Sequence, residues 1–218
     1  MPLWDWSYAF SILPDLLLAL VTTIEITVLG SVVALLLGLV IAVLRRARIP
    51  VLDQVLWAFV ELVRSTPLLV QVFFLFFALP RFGIELSAFV IGVLALGVHY
   101  ATYTSEVYRA GIDAVPQGQW EAATALSLPR SRVWTGVVLP QAIPRVLPAL
   151  GNYVISMFKE VPLLLAIGVV EVVNEARELG SETFRYVEPY TIAGVLFLLL
   201  SYPASLLVRR LERRRVSA

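Results

Sequence analysis

The sequence predicts an all-α membrane protein with five transmembrane helices, its N-terminus outside the cell and its C-terminus inside. The first observation is composition, because 59% of the 218 residues are hydrophobic and only 15% are charged. Average soluble domains carry about 25% charged residues. The second observation is a set of five long apolar stretches, and the third is an uneven distribution of arginine. This composition argues against a soluble enzyme, a nucleic-acid-binding protein and a disordered chain.

The apolar stretches are long enough to cross a bilayer, whose core of about 30 Å needs roughly 20 apolar helical residues. Helices are expected because backbone groups in lipid must be paired within their own segment. The predicted spans cover residues 16–44, 57–79, 86–107, 145–170 and 190–208, within one transmembrane domain over 1–218. The fourth span contains Pro162. We expect that span to begin below the membrane and to kink or break near this proline.

Arginine orients the spans, because basic residues favour the cytoplasmic ends of membrane helices. Arginines cluster after the first span, in the third connection and at the end of the chain, at Arg45, Arg46, Arg48, Arg130, Arg132, Arg145, Arg209, Arg210, Arg213, Arg214 and Arg215. With these regions inside, only Arg81, Arg177 and Arg185 lie in outer connections. The N-terminus is therefore predicted outside and the C-terminus inside.

Small residues recur every four positions in the first span, at Gly30, Ala34, Gly38 and Ala42. Such residues form one helix face and allow another helix to approach closely. We expect this stripe to be a helix–helix interface.

Ionisable residues within the spans are candidates for lining a pathway, because a charge in a bilayer is costly. Lys159 and Glu160 lie in the fourth span; the alternatives are a local charge pair or snorkelling to the outer surface. Arg64 lies in the second span, where it could instead snorkel inward. His99 is expected to be a buried, hydrogen-bonded histidine rather than a proton relay.

The connection over residues 110–140 is too polar to cross the membrane. Pro116 can open a helix there, on which Trp120, Ala123 and Leu126 would share one face. A break is expected at 127–129, followed by a second short helix over 130–139. A short amphipathic helix below the membrane suits docking into a groove on another protein; the alternative is a helix lying on the lipid surface.

Within this connection, Glu121-Ala122-Ala123 and the later Leu139-Pro140 resemble the EAA loop of importer-type ABC permeases. The family pattern is EAA, three residues, Gly, nine residues, Ile, any residue and Leu-Pro, and the spacing here fits throughout. Ser127 stands at the Gly position and Val137 at the Ile position. With serine there, the turn should not demand a strongly left-handed backbone, or it must accept a small strain.

The resemblance extends along most of the chain. The segments 63–71 (Val-Arg-Ser-Thr-Pro-Leu-Leu-Val-Gln), 103–111 and 148–153 are similar to the polar amino-acid branch of these permeases. The segments 152–159 and 180–186 resemble the permease subunit of ectoine and hydroxyectoine importers.

The resemblance implies a type I ABC importer permease fold in a bacterial plasma membrane. Residues 110–140 would carry a coupling helix that docks into a separate pair of ATPase subunits. Glu121 would be the main polar contact, and Ala122 and Ala123 would allow close approach. ATP and Mg would bind the ATPase, with no cofactor, metal or catalytic residue on this chain. The only lysine, Lys159, follows Phe158 and does not fit a phosphate-binding loop.

The other implied partners are a second permease chain, identical or homologous, an extracytoplasmic solute-binding protein, membrane lipid, and a polar amino acid or ectoine-like solute. The outer segment 171–188 is rich in glutamate and is a candidate surface for the solute-binding protein; the alternative is a solvated acidic loop. A zwitterionic solute needs one group for its carboxylate and another for its cationic part. The candidate path residues are Arg64, Thr66, Gln71, Asn152, Lys159 and Glu160.

Other functions are less consistent with the sequence. A self-sufficient secondary transporter usually carries internal repeats, and none is evident. An intramembrane enzyme needs a nucleophile–base pair or metal ligands, but the chain has one histidine and no cysteine. A non-transporting membrane scaffold is the remaining alternative.

Overall fold

The computed structural model describes residues 4–47 and 49–216, with side chains described as far as residue 212. Arg48, and the side chains of Arg213, Arg214 and Arg215, lie outside this description. Within these ranges the chain folds into helices and no strand. The helices are α1 Trp6–Arg46, α2 Pro50–Ser65, α3 Leu68–Ala78, α4 Ala88–Asp113, α5 Gln117–Ala125, α6 Arg130–Arg132, α7 Leu139–Glu160, α8 Val172–Thr183 and α9 Val187–Val216.

Within the described residues, four helical stretches are long and apolar enough to cross a membrane, and a bent pair makes a fifth candidate. The bent pair is α2 with the helical stretch that begins with α3, and its two parts meet at 105°. Five candidate spans therefore match the prediction, but the second is broken rather than continuous over 57–79. Pro67 has no backbone N–H, and Thr66 before it adopts an extended conformation (φ −106°, ψ 140°).

Helix α1 begins well before the predicted span because Asp5 caps it. The Asp5 carboxylate accepts hydrogen bonds from the backbone N–H groups of Ser7 (2.9 Å) and Tyr8 (3.3 Å). The 41 residues of α1 would extend about 60 Å at 1.5 Å per residue, well beyond a bilayer core. At its other end, Arg45 and Arg46 occupy the last turn, where cations interact favourably with the helix dipole.

The small-residue stripe of α1 is confirmed as a helix–helix interface. A Cβ atom at Gly38 would lie 2.9 Å from the Ala101 carbonyl oxygen of α4, and one at Gly30 would lie 2.9 Å from the Met157 sulfur of α7. The Thr104 hydroxyl of α4 donates a hydrogen bond to the Ala34 carbonyl at 2.8 Å. Because the stripe carries so little side chain, α4 approaches the backbone of α1 directly.

The long helices alternate in direction as a multi-pass chain requires. Gly30 faces Leu96 on α4, while Arg45 pairs with Glu106 further along both helices, so α1 and α4 run parallel. Helix α7 runs antiparallel to α9, because Phe158 contacts Phe197 with ring centroids 4.8 Å apart, whereas position 151 faces position 208. The start of α9 lies beside Asp5, whose backbone N–H donates to Glu188 at 3.0 Å. The two ends of the described chain therefore lie at opposite ends of the bundle.

The fourth span changes its helix type where the sequence predicts a kink. Regular α-helix ends at Glu160 and is followed by a 3-10 helix over Val161–Ile167, which contains Pro162. Gly168 then terminates it with a φ of 78°, a conformation that suits glycine. By contrast, α7 continues without interruption through Pro144 and Pro148.

The glutamate-rich segment 171–188 is largely helical rather than a loop. Glu171 is fully buried and caps α8, accepting the backbone N–H groups of Asn174 (2.7 Å) and Val173 (3.0 Å). Burial raises the pKa of Glu171 despite these two hydrogen bonds. Glu188 is also buried, and it pairs with Arg185. The alternative of a solvated acidic loop therefore does not hold for these two residues, because their carboxyl groups accept backbone N–H groups or pair with an arginine.

Candidate functional site

The break between α2 and α3 is stabilised by one side-chain amide. In a continuous helix, the Val63 carbonyl would accept the N–H of residue 67, but Pro67 has none. The Gln71 Nε2 replaces it, lying 2.6 Å from the Val63 oxygen and 3.0 Å from the Thr66 carbonyl oxygen. It also lies 2.8 Å from Thr66 Oγ1. Gln71 and Thr66, both predicted to line a path, thus compensate for the missing donor of the proline.

The same amide connects the break to α4. The Gln71 Oε1 lies 3.2 Å from His99 Nδ1, and His99 is buried. His99 is therefore a hydrogen-bonded buried histidine, as predicted. Irregular backbone at membrane depth is tolerated where it is enclosed by protein or lines a cavity, and this contact encloses the break on one side.

An aromatic cluster of His99, Tyr100, Tyr103 and Tyr153 joins α4 to α7. The ring centroids of Tyr103 and Tyr153 are 5.5 Å apart, and those of Tyr100 and Tyr153 are 5.9 Å apart. Such tilted and edge-on arrangements are favourable for aromatic pairs. The aromatic rings of this cluster pack between the two helices, and each ring carries a polar group.

Two opposite charges reach this aromatic cluster from different elements. The Arg64 guanidinium lies over the Tyr103 ring, 5.0 Å from its centroid, within the range of a cation–π contact. The Tyr100 phenol lies beside the Glu160 carboxyl and the Ser156 hydroxyl. The Glu160 Oε2 is buried and has no hydrogen-bond partner among the described residues. Arg64 and Glu160 therefore each contact a tyrosine of one cluster.

Asn152 and Lys159 are placed differently from the other predicted path residues. Both are exposed on α7, and with Ser156 between them they follow the i, i+4, i+7 spacing of one helix face. Lys159 forms no ion pair with Glu160 in the part of the chain that the structure describes, so the local charge pair is not observed. The face is polar although it belongs to a candidate membrane span.

Sequence reasoning missed the tyrosines of this site. Tyr100 and Tyr103 lie three residues apart on α4, so they share one side of it, and His99 precedes them. Three polar-edged rings within five residues of an apolar span were the available signal. Tyr153 on α7 carried no comparable signal, because its neighbours in space belong to another helix.

The second candidate site is the connection over residues 110–140, hereafter the coupling segment. Helix α5 carries the three EAA residues: Glu121 and Ala122 are exposed, and Ala123 is 3% exposed. The Trp120 ring meets the Trp134 ring edge-on, with centroids 5.5 Å apart. Both rings contact a cluster of four buried residues at the ends of α4 and α7, namely Ile112, Val115, Val138 and Ala142. Glu121 and Ala122 thus face outward, while Ala123 packs against the bundle.

Leu126 does not share the buried face that was predicted for it. It is 73% exposed, because α5 ends at Ala125 and Leu126 is the C-cap. The chain turns before another helical turn could bring Leu126 against the bundle.

The turn after α5 is left-handed at Ser127, with a φ of 50°. The N–H of Ser127 donates to the Thr124 carbonyl at 2.9 Å, and the N–H of Leu128 donates to the Ala123 carbonyl at 3.1 Å. This pair of bonds is a Schellman motif, in which glycine is the preferred left-handed residue. Of the two expectations for Ser127, the structure shows the second: the turn is left-handed and serine accepts the strain.

The second predicted short helix is not separate. After α6, residues Val133–Val138 form a π-helical stretch that continues directly into α7 at Leu139. Val137 and Leu139 are half-buried, while Pro140 is exposed in the first turn of α7. Because the helical stretch is continuous, Pro140 leaves the preceding turn without one N–H donor, which is consistent with the irregular π-helical hydrogen bonding there.

Comparison with known proteins gives a consistent result. Residues 34–217 match the family described as "Binding-protein-dependent transport system inner membrane component". A probable amino-acid ABC transporter permease protein of Sinorhizobium fredii is 49% identical over 205 residues, covering 94% of this chain and 89% of that protein. The arginine transport system permease protein ArtQ of Bacillus subtilis is 32% identical, covering 96% of each chain. The glutamine transport system permease protein GlnP of Escherichia coli is 33% identical, covering 96% of this chain and 97% of that protein.

Solved structures share the fold. A chain of a crystal structure titled as an amino acid ABC transporter with histidines superposes with a TM-score of 0.90 at 36% identity, covering 98% of this chain and 100% of that one. A chain of the MetNI methionine ABC transporter superposes with a TM-score of 0.78 at 19% identity, covering 94% and 97%. The second likeness concerns the fold alone.

Proposed function

The chain belongs to the family of binding-protein-dependent transport system inner membrane components, and we propose that its solute is a polar amino acid or a related zwitterion such as ectoine. It is a multi-pass inner-membrane permease subunit of an ATP-driven importer, and the ATPase is a separate subunit. A self-sufficient secondary transporter is therefore set aside.

The observation that carries the solute proposal is the pair of opposite charges at the aromatic cluster. Arg64 stands over Tyr103, and Glu160 stands beside Tyr100 with one carboxylate oxygen unpartnered. A guanidinium suits a carboxylate geometrically, and a carboxylate suits an ammonium or amidinium group. The names of the relatives agree, since they include arginine and glutamine transport systems.

The remaining path candidates have different roles in this proposal. Gln71 and Thr66 maintain the break that lets Arg64 reach α4, and they need not touch solute. Asn152 and Lys159 lie on the exposed polar face of α7, which lipid tails would solvate poorly. We assign that face to the water-filled path shared with a second permease chain, identical or homologous. The exposed apolar side chains of α1, among them Leu18 and Leu36, contact membrane lipid instead.

The coupling segment is proposed to dock into one subunit of the ATPase pair. Glu121 would accept hydrogen bonds or pair with a cation on the ATPase, and exposed Ala122 would allow close approach. Buried Ala123 holds α5 against the bundle, while Ser127 ends the helix. Val137, Leu139 and Pro140 would form the support that joins this segment to α7. ATP and Mg belong to the ATPase in this proposal, and no cofactor belongs to this chain.

The opposite end of the bundle is proposed to contact the extracytoplasmic solute-binding protein. Glu178 and Glu182 on α8 are exposed, unlike the buried Glu171. This assignment requires that α8 lies outside the cell and the coupling segment inside, as the arginine distribution predicts.

The docking proposal is tested by purifying the tagged chain from its native membranes in mild detergent. Wild type, Glu121→Lys and Glu212→Lys are compared for the co-purifying ATPase and its activity. Glu212 is exposed near the end of α9, so its variant makes the same charge reversal away from the EAA residues. We expect the ATPase with wild type and Glu212→Lys, and its loss or uncoupling with Glu121→Lys. An unchanged ATPase with Glu121→Lys would contradict the proposal.

The solute proposal is tested by uptake into proteoliposomes that contain the whole importer. Labelled arginine, glutamine and ectoine are compared for wild type, Arg64→Ala, Glu160→Gln and Arg210→Ala. Arg210 is exposed near the end of α9, away from both charges and outside the coupling segment. We expect Arg64→Ala and Glu160→Gln to raise the solute concentration needed for half-maximal transport. Equal uptake by all four proteins would refute the role of these charges.

A further inference from the structure

Arg46, at the end of α1, contacts both parts of the coupling segment. Its guanidinium carbon lies 5.4 Å from the centroid of the Trp120 ring and 5.5 Å from that of the Trp134 ring. Trp120 belongs to α5, with the EAA residues, and Trp134 belongs to the π-helical stretch that leads into α7. One cation is therefore shared by two rings that lie on opposite sides of the turn at Ser127.

The same guanidinium is fixed from the other side by α4. The Arg46 Nη1 lies 2.9 Å from Asp113 Oδ1 in the last turn of α4. Asp113 also accepts from Arg109 at 3.3 Å, and Arg109 pairs with Glu106 at 2.6 Å. A planar guanidinium can bond a carboxylate through its edge while its face lies on an aromatic ring, and Arg46 combines both contacts.

This ion network continues into α1 and α2. Glu106 pairs with Arg45, and Arg45 Nε lies 3.3 Å from Asp53 Oδ1 on α2. The charged side chains thus form a chain of contacts from α2 through α1 and α4 to Arg46. Within this network, Arg45 pairs with the carboxylates of Asp53 and Glu106, whereas Arg46 contacts both tryptophans.

We propose that Arg46 is a positioning residue that transmits movement of the docked coupling segment to α1 and α4. The inference rests on the proposed docking of that segment to an ATPase. The apolar cluster beneath Trp120 and Trp134 resists separation but has little directional preference. The contacts of Arg46 are directional. Both tryptophan rings must move together with the guanidinium if the two ring contacts and the ion pair with Asp113 are to be kept. It also joins the coupling segment to α1, which is not adjacent to that segment in the chain.

The test uses the complete importer in proteoliposomes and measures solute transported per ATP hydrolysed. The variants are Arg46→Ala, Arg46→Lys, Trp120→Leu and the double variant Arg46→Ala with Trp120→Leu, and Arg210→Ala is the control. Arg210 is exposed near the end of α9, so its loss removes one arginine without touching the network. Each assembly is first checked for yield, homogeneity and co-purified ATPase.

We expect the transport ratio of Arg46→Ala to fall by about five- to thirtyfold, the effect of losing two partly exposed cation–π contacts. Arg46→Lys keeps a charge for Asp113 but not the planar stacking, so its ratio should lie between those of wild type and Arg46→Ala. The transport ratio of the double variant should equal that of the single variant with the lower ratio, because both substitutions break the same contact between Arg46 and the coupling segment. Arg210→Ala should transport with the wild-type ratio, and all five assemblies should retain the ATPase.

Three results would overturn the inference: a wild-type ratio for Arg46→Ala, strictly additive losses in the double variant, or loss of the ATPase from the Arg46→Ala assembly. The last result would make Arg46 part of the docking contact. A Glu121→Lys assembly run in parallel separates the two proposals. If it keeps both its ATPase and the wild-type ratio, the proposed docking itself fails, whatever Arg46 does.

Discussion

The left-handed turn at Ser127 makes a quantitative prediction about Ser127→Gly. A non-glycine residue in this conformation costs about 1–2 kcal/mol, and glycine removes that cost. Glycine also loses more backbone entropy on ordering, which offsets about 0.5–1 kcal/mol. The Ser127 side chain is exposed and makes no hydrogen bond within the described part of the chain, so nothing else is lost. The net expectation is that the turn is stabilised by about 0.5–1 kcal/mol.

Amide hydrogen exchange measures this local effect directly. The Leu128 N–H, which donates to the Ala123 carbonyl, reports opening of the Schellman motif. Its exchange should slow about two- to fivefold in Ser127→Gly, because protection follows the free energy of local opening. Ser127→Val should exchange faster than wild type, since a β-branched residue is poorly accommodated at positive φ.

The control is Ser131→Gly, which makes the same substitution within the helical turn Arg130–Arg132. There glycine is a poor helix former, so its nearby amides should exchange faster rather than slower. The same substitution should slow amide exchange at one exposed serine and speed it at another only four residues away. This difference would identify the backbone conformation as the cause. Faster or unchanged exchange of Leu128 in Ser127→Gly would refute the strain argument.

Three further predictions concern stability in detergent, measured as the thermal unfolding midpoint of the purified chain. Gln71→Leu should lower the midpoint, because the Thr66 carbonyl loses its side-chain donor and the Val63 carbonyl keeps only the Thr66 hydroxyl at 3.2 Å. An unsatisfied buried group costs about 1–3 kcal/mol, and a midpoint within error of wild type would contradict this role. Gly38→Leu should separate α1 from α4 and cost about 1–3 kcal/mol or more, whereas Gly194→Ala, where an added Cβ meets nothing within 4 Å, should be tolerated. Burial raises the pKa of Glu171 above its ordinary value of 4.5, so its contribution to stability is fully present below that value and is lost as pH rises through the folded-state pKa. Glu171→Gln should therefore lose less stability than wild type as pH rises from about 4.5. If the unfolding midpoints of the two proteins change in parallel with pH, the raised pKa of Glu171 is contradicted.

In the coupling segment, a short sequence motif is held in place by residues that lie far from it in the chain. Its EAA residues were recognisable from spacing, and the structure places Glu121 and Ala122 on the exposed side of α5. The contacts that hold this helix come from elsewhere, since Trp134 lies beyond the turn and Arg46 ends a helix some seventy residues earlier in the chain. The exposed residues of the proposed docking surface could therefore be predicted from one segment, but the contacts that connect it to the bundle could not.

Two glutamates near α8 and the start of α9 are buried, unlike the exposed glutamates beside them in the sequence. Glu171 and Glu188 lie near exposed glutamates in the sequence, and nothing in composition distinguishes them. The structure buries both, one as a helix cap and the other between Arg185 and the Asp5 backbone. Glu171 is buried where the start of α8 packs on α1, with the Val172 N–H 3.4 Å from Thr23 Oγ1, whereas Glu188 is buried where the start of α9 meets Asp5.

Features that depend on local chemistry were predictable from the sequence. The number and length of the apolar stretches, the small-residue stripe of α1 and the irregularity near Pro162 all follow from side-chain type and helical period. His99 as a buried hydrogen-bonded residue was also predictable, because a lone polar residue in an apolar span needs a partner. The EAA residues were identifiable because their spacing lies within one short segment.

Which polar atoms meet depends on tertiary packing. Packing places the Gln71 amide where the Pro67 N–H is missing, brings Arg64 and Glu160 each to a tyrosine of one aromatic cluster, and places Arg46 beside two tryptophans. Thr66 and Pro67 indicated a possible break, but not its 105° angle. The physical reason is that hydrophobic burial is set by the amount of apolar surface in a segment, whereas hydrogen bonds and ion pairs depend on directions and distances between segments.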